Sequence, residues 1–272
     1  TTPVAKHGRL SVKGADLVDS KGNKFQLRGI STHGINWDVG SPYVNKKAFK
    51  TLRDDWGVNA IRLAMYTEEY NGYCSGGSQA KLRKLVDKGV GYATDLGMYA
   101  IIDWHILSDG NPNKNKSQAK KFFTTMAKKY KNNKNVIYEI CNEPNGCSWK
   151  EIKSYATDII KTIRKYDKKA VIIVGTPTWS QLGTDGTSNE VADSPIKGYK
   201  NIMYSLHFYA SEWAHNEYLP AKVAYARKKK LPIIVSEFGL SPASGDGAIN
   251  KASADKWMKL LNKYNISYFC WS

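Results

Sequence analysis

Eight short runs of strand-forming residues, separated by longer stretches with helical periodicity, constrain this sequence more than any other feature of it. The runs lie at 25–30, 60–64, 98–103, 136–141, 170–174, 201–206, 233–236 and 267–271. Helices are expected at 46–54, 79–96, 117–131, 149–166, 219–229 and 251–264. In the second of these, Val86, Val90 and Ala93 recur three or four residues apart and so share one face. Strands joined through helices return to the same end of a sheet and must be parallel. Eight such units favour a closed (β/α)₈ barrel, the TIM barrel, over an open sheet. No glycine-rich dinucleotide or phosphate loop follows any run, which argues against the nucleotide-binding α/β folds. Residues 9–25, punctuated by Gly14 and Gly22, read as a short β-hairpin covering one end of the barrel. The expected organisation is one domain over residues 1–272. The eighth run reaches Trp271, so the final barrel helix is expected to be absent, either supplied by another segment or removed.

Charge narrows the range of partners. The net charge is +17, which by itself would invite a polyanion. Yet all but Arg9, Arg28, Arg53, Arg62, Arg83, Arg164 and Arg227 of the 41 basic residues are lysines. Many sit on expected outer helix faces, among them Lys120, Lys121, Lys128, Lys129, Lys131 and Lys134, and such faces are ordinarily just solvated. Specific nucleic-acid readers lean on arginine, so no nucleic-acid partner is expected. No apolar run approaches the ~18 residues of a membrane span, and no membrane partner is expected. Cys74, Cys141, Cys147 and Cys270 form no CxxC pair. Cys141 and Cys270 fall in strands and read as buried, which leaves Cys74 and Cys147 as the one disulfide worth considering.

The polar residues then fall in a telling place. Barrel chemistry sits at the C-terminal ends of the strands. The first run leads to His33, the second carries Arg62 and leads to Tyr66, and the third ends at Asp103-Trp104-His105. The fourth ends at Asn142-Glu143-Pro144, the fifth leads to Trp179, and the sixth ends at His207-Phe208-Tyr209. The seventh ends at Glu237 and the eighth at Trp271. Any one of these alone is most simply a loop residue or a satisfied hydrogen-bonding group. Together they put two carboxylates, Glu143 and Glu237, across one mouth. Such a pair can work as acid and nucleophile on an acetal, provided that environment pushes their pKa values apart. The chemistry needs no metal or cofactor, and no His, Cys or Asp spacing asks for a metal.

The stretches Gly29–Gly34, Leu52–Gly57, Arg62–Tyr66, Ile102–His105, Ile137–Pro144, His207–Tyr209 and Ser236–Gly239, in that order, resemble glycoside hydrolase family 5, closest to its bacterial endo-β-1,4-glucanase (cellulase) subgroup. The resemblance runs over nearly the whole chain. It implies a retaining enzyme that cuts internal β-1,4 bonds of cellulose or a related β-glucan. The alternatives it leaves open are a mannanase or other β-glycan hydrolase of the family, and a catalytically impaired glycan-binding fragment. By this likeness Glu143 is the acid/base and Glu237 the nucleophile. Asn142 holds the sugar 2-hydroxyl, Arg62 and Tyr209 hold Glu237, and His207 tunes Glu143. His33, Trp37, Asp38, Tyr66, His105, Ala243, Ser244 and Trp271 become glycone-side contacts, and Trp179 a contact on the leaving-group side. Phe238 stands where tryptophan is frequent, and Asp38 where an aromatic often stands. A polymeric substrate implies a secreted protein with a polysaccharide or cello-oligosaccharide partner, a monomer, and room for an appended carbohydrate-binding module.

Overall fold

The structure, a computed structural model, describes residues 1–241, 243 and 249–271. A single turn, α1 (Pro3–His7), leads into a hairpin of β1 (Ser11–Lys13) and β2 (Asp16–Val18). The barrel strands are β3 (Arg28–Ser31), β4 (Ala60–Tyr66), β5 (Tyr99–His105), β6 (Val136–Glu139), β7 (Ile172–Val174), β8 (Ile202–Tyr209), β9 (Ile233–Gly239) and β10 (Tyr268–Trp271). They pair in parallel and close in that order, β10 bonding to both β9 and β3. Between them run α2 (Lys46–Trp56), α3 (Gln79–Asp95), α4 (Lys116–Tyr130), α5 (Trp149–Arg164), the short α6 (Pro177–Ser180) and α7 (Glu190–Asp193), α8 (Trp213–Lys228) and α9 (Lys251–Lys263). The barrel expected from the eight runs is thus the barrel observed.

Alternation along the strands builds two cores. Outward residues such as Ile61, Leu63, Ile102, Trp104, Tyr138 and Ile172 pack under the helices in one cluster. Inward residues begin as a second, smaller cluster at the N-terminal end: Leu27, Ala60, Tyr99, Ile137, Val171, Met203, Ile234 and Phe269. Val4, Leu10 and Leu17, from α1 and the hairpin, join that cluster and plug this end, as the hairpin reading expected. Gly29 is required there: a Cβ at this position would meet the Phe269 ring at 2.3 Å and the Ala60 carbonyl at 2.9 Å. Further up the same strands the inward positions turn polar, to Ser31, Arg62, Asp103, Glu139 and Ser236. The apolar floor therefore seals one end while the other opens as a site.

Several boundaries differ from the sequence reading. At the N-terminus, Thr2 caps α1 by accepting the Ala5 N–H at its hydroxyl (3.3 Å). Helix α8 starts at Trp213, two turns before the expected 219, and runs through Pro220, a residue that ordinarily marks a helix boundary. All four cysteines are free thiols, so Cys74 and Cys147 form no disulfide, and Cys270 is only partly buried. Among the described residues, no helix is long and apolar enough to cross a membrane. Beside β3, the outer wall carries an apolar groove of about 510 Å³ lined by residues that include Ile30, Phe49, Leu52 and Ile61.

Candidate active site

Arg62 organises the polar half of the barrel interior. Its side chain, on β4, is fully buried. Nε donates to Glu139 Oε1 (2.8 Å), Nη1 to Glu237 Oε1 (3.1 Å) and Nη2 to Asn142 Oδ1 (2.7 Å). Nη2 also lies 3.1 Å from Asp103 Oδ2. Burial opposes its charge, but Asp103, Glu139 and Glu237 hold the guanidinium charged, well above its ordinary range. Isolating a cation here would cost several kcal/mol, and the surrounding carboxylates offset that cost.

Strand β9 contributes two adjacent side chains to the interior, which strict alternation forbids. Ser205 pairs with Ile234 but His207 with Glu237, and Tyr268 pairs with Val235 but Cys270 with Phe238. Relative to both neighbours, β9 carries one extra residue. This bulge turns Ser236 and Glu237 inward together while Val235 and Phe238 stay in the outer core. Glu237 then accepts from Arg62 at Oε1 and from the Tyr209 hydroxyl at Oε2 (2.8 Å), so both its oxygens are fixed in place. Burial and the adjacent Glu237 hold Tyr209 protonated, well above its ordinary range, as a donor must be. Gly239 makes room for that ring, since a Cβ there would lie 2.5 Å from Tyr209.

The other carboxylate is held in the opposite state. Glu143 Oε2 lies 2.7 Å from His207 Nδ1, and His207 Nε2 lies 2.8 Å from Ser236 Oγ. Ser236 donates its one proton to Glu139 Oε2 (2.7 Å), so its oxygen must accept from His207 Nε2–H. Burial pushes His207 down to about 4, so the ring is neutral and Nδ1 is an acceptor. The proton between His207 and Glu143 then belongs to Glu143. Consistently, burial pushes Glu143 up to about 8 against the opposing Arg62, with Asp103 and Glu139 adding to the rise. A carboxylate oxygen of Glu143 lies within 4.8 Å of one of Glu237. Retaining glycosidases hold the pair about 5–5.5 Å apart, and inverting ones about 6.5–9.5 Å.

The cleft above these groups is about 510 Å³. His33, Tyr66, His105, Trp179, Ala243 and Trp271 line it. His105 stacks on Trp271 at 5.3 Å and meets Tyr66 edge-on at 4.4 Å. Trp37 stacks behind Tyr66 at 4.4 Å and buttresses it without lining the cleft. Asp38 is exposed, lies in the turn that returns the Gly40 N–H to the Trp37 carbonyl, and is not among the residues that line the cleft. Ser244 lies outside the described residues. Trp179 sits in α6, where Thr178, Trp179 and Ser180 all have left-handed backbone (φ 64°, 57° and 59°). Such residues cost about 1–2 kcal/mol each. The turn is pinned to the loop that carries Glu143, with Trp179 N–H donating to the Pro144 carbonyl (2.8 Å) and Ser180 Oγ to the Asn142 carbonyl (2.7 Å).

Residues of the site to which the sequence assigns no role are Glu139 and Ser236 in the relay, and Leu107, Gln181, Glu212 and His215 in the cleft wall. Asp103 was noted at a strand end without a role. In the structure it contacts His105 Nδ1, and burial raises it to about 7 while lowering His105 to about 3. The signal for Asp103 and Glu139 was a charge inside an apolar strand run, and the two are direct neighbours across β5 and β6.

Comparisons with known proteins identify the family. A family model, Cellulase (glycosyl hydrolase family 5), matches residues 18–272. The chain is 47% identical over 270 residues to Endoglucanase A of Butyrivibrio fibrisolvens, covering 98% of this chain and 60% of that protein. It is 49% identical over 269 residues to an endoglucanase of Clostridium saccharobutylicum, covering 97% of this chain and 57% of that one. The chain thus spans little more than half the length of these curated relatives. Among solved structures, the catalytic domain of Thermobifida fusca endoglucanase Cel5A superposes with a TM-score of 0.90 at 39% identity, covering all of this chain and 87% of that one. A variant of the same domain in complex with cellotetraose gives 0.89 at 38%, with the same coverage. The strand-end constellation, the polar barrel interior and these matches lead to one conclusion: the chain belongs to the cellulase family, glycosyl hydrolase family 5.

Proposed function

We propose that this chain is the catalytic unit of a secreted, retaining endo-β-1,4-glucanase. The observation that carries the reading is the opposed state of two carboxylates within 4.8 Å, Glu143 holding a proton toward His207 and Glu237 gripped at both oxygens by donors. In the first step Glu143 gives its proton to the glycosidic oxygen as the bond to the anomeric carbon breaks. Glu237 attacks that carbon and forms a glycosyl ester. In the second step Glu143, now a carboxylate, takes a proton from water, whose oxygen displaces Glu237 and preserves the original configuration. Asn142, fixed by Arg62 and by its own N–H to the Ile106 carbonyl (2.9 Å), is positioned to meet the 2-hydroxyl. Cleft walls on both sides of the carboxylates, Trp271 and His33 on one and Trp179 on the other, suit cutting inside a chain. The names of the relatives and the cellotetraose complex of the Thermobifida fusca domain support β-1,4-glucan as substrate. The relatives' greater length leaves room for an appended carbohydrate-binding module.

The test is hydrolysis of a soluble cellulose derivative beside mannan, xyloglucan and mixed-linkage glucan. Cleavage of the cellulose derivative with a fast fall in viscosity is expected, and Glu143→Gln or Glu237→Gln should each remove it by about 10³-fold or more. A preference for mannan, or near-normal rates in either variant, would contradict the reading.

A further inference from the structure

The loop from β8 into α8 brings a further set of groups to the cleft. Glu212 and His215 line its wall. His215 accepts the Tyr209 N–H at Nδ1 (2.9 Å), and burial holds the ring below its ordinary range, so the neutral imidazole carries its proton on Nε2. Glu212 Oε1 accepts the Ala243 N–H at 2.6 Å. Between these two wall residues stands Trp213, 70% exposed at the first position of α8. Among the described residues, its indole meets the edge of Tyr218, at 6.1 Å and 85°. The helix beneath it is firmly braced. Tyr218 packs where a Cβ on Gly186 would meet its ring at 2.9 Å, and Lys222 donates to the carbonyls of Gln181 (3.1 Å) and Asp185 (2.5 Å). The first turns of α8 are therefore locked to the loop that follows Trp179.

An indole left this exposed at the rim of a sugar cleft, on a rigid support and beside two polar wall residues, has the form of a stacking platform. The exposed ring can lie against the face of a sugar, and the polar groups beside it can take hydroxyls. We propose that Trp213 stacks against a distal sugar on the leaving-group side of a β-glucan chain, with His215 and Glu212 meeting the sugar between that platform and the scissile bond. This rests on the functional reading above and extends its binding surface past Trp179.

Two measurements test it. One compares kcat/KM for cellohexaose, which reaches the leaving-group side, with that for an aryl β-cellotrioside, which places no sugar there. Trp213→Ala is expected to lower the ratio of the two about tenfold, and Trp213→Tyr, which keeps a flat ring, to keep it within about threefold of the parent value. An unchanged ratio in Trp213→Ala, or equal losses in both variants, overturns the proposal. The other measurement is titration calorimetry of cellohexaose in a Glu143→Gln background, which does not depend on turnover. If the parent cleaves neither substrate, the functional reading fails, and calorimetry alone decides the platform: weaker cellohexaose binding in Trp213→Ala supports it, and equal binding overturns it.

Discussion

His207 Nδ1 lies 2.7 Å from Glu143 Oε2 as the last link of a relay that begins at Glu139 and passes through Ser236. The direction of each hydrogen bond follows from the one before it, and the result is a protonated Glu143. Glu143 thus holds the proton that the first step of the proposed reaction requires.

The relay has a pH signature. Without the Ser236 hydroxyl, His207 is free to carry its proton on Nδ1 and donate to an ionised Glu143. Ser236→Ala is therefore expected to lower the pKa of Glu143. The alkaline limb of kcat/KM, set near pH 8 by the raised Glu143, should move toward acid by about one unit. A pH–rate profile checks this, and a limb that stays in place would count against the relay.

Holding a protonated carboxyl in a largely buried position has a cost in stability. Glu143 is raised from 4.5 to about 8 in the folded chain. Below the unfolded value both states are protonated and nothing is lost. Between that value and about pH 8 the unfolded chain ionises while the folded one does not, so stability falls as pH rises. Glu143→Gln removes the difference. Its Tm should exceed the parent's by several degrees at pH 7, with the gap closing near pH 4. Thermal melts at the two pH values test this.

Arg62 neutralises a buried carboxylate cluster, and shortening it should be severe. Arg62→Met leaves Asp103, Glu139 and Glu237 without their cation and should cost about 3–5 kcal/mol of stability. Chemical denaturation measures it, and a loss under about 1 kcal/mol would show that the cluster does not depend on this residue.

The left-handed turn depends on its ties. Ser180→Ala removes a buried hydroxyl that donates to the Asn142 carbonyl, and a cost of about 1–2 kcal/mol is expected together with a several-fold fall in kcat on cellohexaose. Denaturation and steady-state kinetics would detect both, and an unaffected kcat would separate the turn from the acid/base loop.

Much of this architecture was readable from residues. The eight runs with helical spacers imply parallel pairing, and parallel pairing puts Arg62, Asn142, Glu143, His207, Tyr209 and Glu237 at one end. What stayed hidden depends on closure and local irregularity. Glu139 stands out as a charge in an apolar strand run, but its role becomes readable only when the barrel brings Arg62 and Ser236 around it. The extra residue in β9 has no marker, since neither Ser236 nor Glu237 is a residue that bulges demand, and period-two reading would turn one of them outward. The left-handed backbone at Thr178, Trp179 and Ser180 runs against what those residue types favour, so only the surrounding hydrogen bonds account for it. Asp38 was placed by likeness alone, and it is not among the residues that line the cleft.

Trapping a covalent intermediate on Glu237 separates the proposed two-step reaction from a single displacement. A 2-deoxy-2-fluoro cellobioside with a good leaving group slows both steps, and the second more, so a glycosyl-enzyme should accumulate. Mass spectrometry of a digest is expected to find one sugar adduct, on the peptide that contains Glu237, and none in Glu237→Gln. An adduct on another carboxylate, or rapid turnover to product of inverted configuration with no adduct at all, would contradict the account.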